Sequence, residues 1–116
     1  MSPAPTKSVR LKRIETAILH EITQFMQTEL DNRDFRSVQL TRVEVSRDLS
    51  HAKIYFLLPN TEKNLSSTQA ALNKITSLLH HHLARKLNFR ITPQIKFYYD
   101  EQAKKTNDLL SLLETI

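Results

Sequence analysis

Apolar residues recur along this chain with two different periods, and the changes of period lay out its elements. Over 9–30, Leu11, Ile14, Ile18, Ile22, Phe25 and Leu30 return at steps of three to five, which predicts a long amphipathic helix. Ser8 is placed to cap its start, and Arg10 and Arg13 fall off the apolar stripe. Asp31-Asn32-Arg33-Asp34 reads as a turn. Residues 38–46 alternate as a strand, yet Val38 and Leu40 share one parity and Val43 and Val45 the other. That phase slip near Thr41-Arg42 predicts a bulge that re-aims Arg42. Residues 52–58 alternate again, with Ile54, Phe56 and Leu58 inward and Lys53 and Tyr55 outward. The short Asp48-Leu49-Ser50 link predicts an antiparallel hairpin, and Pro59-Asn60-Thr61 ends it.

Helical spacing resumes over 66–88, with Leu72, Ile75, Leu79, Leu83 and Leu87 on one stripe and Ser66 or Ser67 available as a cap. Lys74, His81 and Arg85 lie opposite, with Lys86 beside them. The segment is long enough for two helices, and hydroxyls at Thr76-Ser77 offer a place for a break. Pro93 terminates what precedes it. Residues 94–99 predict a third strand with Ile95, Phe97 and Tyr99 on one face, and 101–114 a closing helix through Leu109, Leu110, Leu112 and Leu113. The order α-β-β-α(α)-β-α predicts an α+β fold with helices on one three-stranded sheet. Residues 1–7 are expected to be disordered, and 8–116 to form one domain.

Composition narrows the chemistry. The 116 residues include no glycine, cysteine or tryptophan. Average usage would give about eight glycines, and both the Walker phosphate loop and the dinucleotide fingerprint depend on them. Without cysteine there is no disulfide framework, thiolate zinc site, iron–sulfur cluster or thiol nucleophile. The N-terminal residues lack the apolar core of a signal peptide, and no apolar run approaches a membrane span. The cytoplasm is the expected compartment, and no cofactor is expected.

The net charge of +5 is unevenly spread. Residues 1–14 carry +4 without an acid, 15–62 carry −3, 63–99 carry +6 without an acid, and 100–116 carry −2. An acid-free run of 37 residues differs from an ordinary solvated surface, where both signs mix. It suits a polyanion bound in a salt-dependent way, and so points to nucleic acid rather than a membrane. The candidate contacts are Arg10, Lys12 and Arg13 on the first helix, Lys53 on the second strand, Lys74, Arg85 and Lys86 on the second helical segment, and Arg90 just after it. Tyr55 and Tyr98 fall off the inward parity, where they could stack on bases or pack under the last helix.

Two strings invite other readings. His80-His81-His82 cannot converge on one metal, because consecutive helical residues point about 100° apart. They suit a polar helix face or a phosphate contact. Asp48, Ser50 and His51 crowd one turn, where local backbone bonding explains them better than a hydrolytic triad, whose members normally come from separate segments.

VEVSRDLSHAKIYF over 43–56 resembles the central hairpin of the bacterial ribosome-binding factor A family. Arg10-x-x-Arg13-Ile14, Leu83-x-x-x-Leu87-x-Phe89-Arg90-x-x-Pro93 and Ile95-x-Phe97-x-x-Asp100 fit the same pattern, so the resemblance runs from about 8 to 113. It implies a type II KH-like fold, α-β-β-α-kink-α-β, and a non-catalytic RNA-binding protein. The implied partners are the small (30S) ribosomal subunit and its 16S rRNA in late maturation, near the decoding region and the rRNA ends. Support of 5′-end processing, a link to growth in the cold and release by a maturation GTPase come with it, while a lone small domain makes a monomer the default. The family's Ala-x-Gly at the helix kink is Ile75-Thr76-Ser77 here. His80 stands where the family often has Arg, and Asp31-Asn32-Arg33 replaces Asp-Pro-Arg. The competing readings are a generic KH-type binder of messenger or regulatory RNA and a small enzyme of unknown type. The missing Gly-x-x-Gly loop counts against the first, and the lack of a nucleophile, metal set or phosphate loop against the second.

Overall fold

The computed structural model describes residues 8–30, 35, 37–59 and 65–114; the expected disorder of 1–7, the 31–34 turn and the Asn60-Thr61 stop lie outside them. Helix α1 spans Val9–Thr28 and opens as its sequence implies, with the Ser8 hydroxyl accepting the Leu11 N–H at 3.1 Å. Its buried stripe is Glu15, Ile18, Ile22 and Met26. A carboxylate therefore sits where an apolar side chain is the norm, with its Oε2 accepting the Val45 N–H of the first strand at 2.8 Å. Removing the cap by Ser8→Ala is expected to cost about 1 kcal/mol. For a domain of this size that is a fall of about 4 °C in thermal midpoint by circular dichroism.

Strands β1 (Gln39–Val45) and β2 (His51–Leu57) form the expected antiparallel hairpin. The register shifts between Leu40 and Arg42, so the bulge read from the parity change is present, and it leaves Arg42 opposite Tyr55. The turn needs one residue in the left-handed region, normally given to glycine. With no glycine in the chain, Leu49 takes it at φ 61°. A left-handed conformation in a branched residue is strained. The Leu49 side chain packs on the core, and the Ser46 hydroxyl accepts the N–H groups of Ser50 and His51, which together hold the turn.

Helix α2 covers Leu65–Lys86, so Ser66 and Ser67 lie in its first turn rather than at its cap. The expected kink at Ile75-Thr76-Ser77 is not a break, because α2 is one helix of 22 residues through these positions. Leu72, Leu79 and Leu83 stay in phase and fully buried on both sides. The Thr76 hydroxyl donates to the Asn73 carbonyl at 2.9 Å, and the helix continues through it. Strand β3 (Gln94–Tyr99) lies parallel to β2, giving the sheet order β1-β2-β3. Both α1 and α2 cover the face that carries Ile54, Phe56, Ile95 and Phe97. The opposite face carries no helix pair.

Helix α3 (Glu101–Glu114) has the expected bounds but does not close the fold. None of its residues is buried, and Leu109, Leu110, Leu112 and Leu113 are 52–64% exposed. Asp100 is 3% exposed and caps α3 by accepting the Ala103 N–H at 3.0 Å. Its other oxygen accepts from the Thr41 hydroxyl at 2.7 Å and from Arg42 Nε at 3.3 Å, which ties α3 to the bulge.

Candidate nucleic-acid interface

Three chain segments meet at one end of the sheet: the start of α1, the β1–β2 turn, and the connection from α2 to β3. The Gln94 N–H donates to the Ser50 carbonyl at 2.9 Å, which fixes that connection beside the turn. Between them lies an open groove of about 720 Å³. Val9, Ile14 and Ala17 of α1, Leu49 of the turn, and Leu87, Phe89 and Ile91 of the connection supply its apolar lining. Arg10, Arg13 and Arg90 supply its charge, against one carboxylate, Asp48. All three arginines are exposed and none forms an ion pair among the described residues. The N-terminus of α1 adds its own partial positive charge at the same end.

Asp48 offsets one of these three charges and leaves the cations in excess. It accepts from the Ser50 hydroxyl at 2.6 Å, the Ser46 hydroxyl at 2.8 Å and the Ser50 N–H at 3.1 Å. These bonds, the Ser50 hydroxyl first, hold its pKa down at about 2, so it stays a charged carboxylate at neutral pH and is fixed within its own turn. The Ser50 hydroxyl also meets His51 Nδ1 at 2.9 Å. The serine thus bridges aspartate and histidine, whereas a hydrolytic triad needs the histidine in the middle. The cluster is turn chemistry.

The cations expected from the sequence fall into separate sets. Arg10, Arg13 and Arg90 converge on the groove. Lys12 is exposed on α1 beside it, and Arg85 and Lys86 are exposed on the last turn of α2, where positive charge also favours the helix C-terminus. Lys74 is exposed mid-helix, and Lys53 projects from the helix-free face of the sheet. The three histidines part ways. His80 meets the Thr92 carbonyl at 3.2 Å, pinning the connection that carries Arg90. His82 meets Glu21 at 3.2 Å and packs on Phe25, with ring centroids 4.4 Å apart, joining α2 to α1. His81 is exposed. Among the described residues, no group of three His, Asp or Glu side chains could hold a metal ion.

Val9 and Ile91 were not singled out by the sequence. Their signal is exposure: Val9 is 66% and Ile91 76% exposed, and only the assembled fold reveals that they flank the arginines.

The chain is similar in sequence and fold to known proteins. Residues 10–113 match the family model for ribosome-binding factor A. The ribosome-binding factor A of Thioalkalivibrio sulfidiphilus is 31% identical over 110 residues, covering 95% of this chain and 85% of that protein. The crystal structure of ribosome-binding factor A from Thermus thermophilus superposes with a TM-score of 0.66 at 22% identity, over 77% of this chain and 93% of that one. A homology model of the same Thermus thermophilus factor, fitted into a cryo-EM map of a 30S complex, superposes with a TM-score of 0.58 at 22% identity over 80% and 93%. The fold is the KH-like α+β arrangement of these structures. With the family's sequence model matched over all but the two ends, the chain belongs to the ribosome-binding factor A family.

Proposed function

We propose that this protein binds the small (30S) ribosomal subunit and its 16S rRNA in late maturation, with the arginine groove as its principal contact, and performs no chemistry. The observation that carries the reading is the convergence of Arg10, Arg13 and Arg90, from two distant segments, on one groove that holds a single acid, Asp48, among the described residues. Arginine offers a planar fork that grips phosphate oxygens and stacks on bases, and such contacts position a protein without reading sequence. The apolar floor accepts a base turned out of its stack. Binding one late conformation of the subunit more tightly than others shifts the population toward it without a catalytic step.

Family membership and the relative fitted to a 30S complex support that partner. The finer reading, a monomeric cytoplasmic factor that aids 5′-end processing and growth in the cold and that a maturation GTPase releases, belongs to the same proposal. No helix among the described residues is long and apolar enough to cross a membrane.

Sucrose-gradient sedimentation of cell extract tests the partner. The protein is expected with free small subunits at low salt and at the top of the gradient at high salt, because phosphate contacts release counterions. Migration with small RNAs alone, or with nothing at low salt, overturns the reading.

A further inference from the structure

The helix-free face of the sheet carries a second constellation, separate from the groove. Strands β2 and β3 run parallel and in register, so Lys53 lies beside Lys96 and Tyr55 beside Tyr98. Lys53 and Lys96 are exposed and Tyr98 is 38% exposed. The tyrosine rings stand side by side with centroids 5.8 Å apart, forming one aromatic strip. The Arg42 guanidinium stacks over Tyr55 at 3.9 Å, and Lys53 Nζ hovers 5.7 Å from the Tyr98 centroid. The face's acid, Glu44, is bonded to Arg42 and to the Tyr55 hydroxyl. Lys53 and Lys96 have no ion pair among the described residues.

We propose that this face is a stacking platform for single-stranded RNA, with Tyr98 receiving an unpaired base and Lys53 and Lys96 holding the phosphates beside it. The proposal rests on the RNA-binding reading above and adds a second, structurally distinct contact. An exposed ring flanked by two ammonium groups suits a nucleotide, which offers a flat π face and a negative charge together. The spacing fits: residues two apart on a strand are separated by about 6.6 Å, comparable with the reach from a base to its own phosphate. The lysine now above Tyr98 then has a better partner, since an arriving base takes the ring and leaves the ammonium for the phosphate. A protein partner is a poorer match, because apart from the two rings the Lys53–Lys96 and Tyr55–Tyr98 rows offer no apolar side chain.

The chain has three tyrosines and no tryptophan, and two of them, Tyr55 and Tyr98, lie on this face while Tyr99 packs on the core, so a base stacking here quenches part of the emission. Titrating the full chain with a short oligouridylate at low salt is expected to quench tyrosine emission saturably. Tyr98→Ala is expected to weaken binding about 5- to 150-fold, the range for losing one base–aromatic stack, while Tyr98→Phe binds like the parent. Lys53→Ala with Lys96→Ala is expected to flatten the dependence of log K on log salt by about 1.4. Absence of quenching, or a folded Tyr98→Ala that binds the oligonucleotide as the parent does, overturns the platform. If the platform fails while the protein still sediments with small subunits, the proposed function stands. If the oligonucleotide binds but the subunit does not, the proposed function fails and the platform stands.

Discussion

Replacing Asp100 with alanine is expected to lower the thermal midpoint by about 10 °C and to loosen α3 at its root. The carboxylate joins three parts of the chain: the Ala103 N–H at the start of α3, the Thr41 hydroxyl in the bulge, and Arg42. Losing the cap costs about 1 kcal/mol. Leaving the half-buried Thr41 hydroxyl without its acceptor costs about 1–3 kcal/mol more, whereas the half-exposed Arg42 keeps Glu44 and water. A total near 3 kcal/mol corresponds to roughly 10 °C in a domain of this size. Asp100→Asn keeps a capping oxygen and is expected to recover about half. The effect has a pH signature. Burial alone would raise the pKa of Asp100, but the Thr41, Ala103 and Arg42 hydrogen bonds and the Arg42 charge outweigh it and hold it below the ordinary carboxylate value. A native pKa below the unfolded one contributes stability that is complete above about pH 4 and is lost as the pH falls through the depressed value. Melting curves of the parent and Asp100→Ala should therefore converge as the pH drops from 7 toward 3. A gap that stays constant, or one below about 3 °C at pH 7, would show that Asp100 is not the anchor.

The same residue shows how far the sequence could be read. The parity change across Val38, Leu40, Val43 and Val45 announces the bulge, because a strand has only two faces and a slip can be counted. The Ser8 cap and the α1 boundaries follow from local chemistry in the same way. That Asp100 would close onto the bulge was not legible, since residues 41 and 100 meet only after β3 has paired in parallel with β2. Glu15 escaped for a related reason: its acceptor role depends on a free Val45 N–H on β1, which no helical periodicity encodes. The leucines of α3 mark the opposite failure. An apolar stripe states that a face seeks cover, not that this chain supplies it, and here they remain exposed. The unbroken α2 is a case where pattern and local rule disagreed. Thr76 and Ser77 allowed a break, but a stripe kept in phase from Leu72 to Leu83 outweighed them. Of the site, charge blocks named the cations, yet the grouping of Arg10 and Arg13 with Arg90 is a product of the fold, eighty residues apart in sequence.

That grouping is what a pair of charge-reversal triples would test. Arg10, Arg13 and Arg90, all changed to Glu, are expected to reduce affinity for small subunits by about a thousandfold. Three charge-assisted phosphate contacts at about 1.5 kcal/mol each supply that loss, and repulsion of the same phosphates adds to it. Lys74, Arg85 and Lys86, changed to Glu, alter the net charge by the same amount but lie outside the groove, and are expected to cost no more than about tenfold through the weaker general field. The comparison separates location from total charge, which no single variant can do. All six side chains are exposed, so both triples should stay folded, and melting curves check this before binding is measured. Sedimentation or filter binding with purified small subunits at fixed salt gives the affinities. Equal losses from the two triples would mean that the protein is held by diffuse attraction to RNA, and that the groove is no more than a gap between its elements.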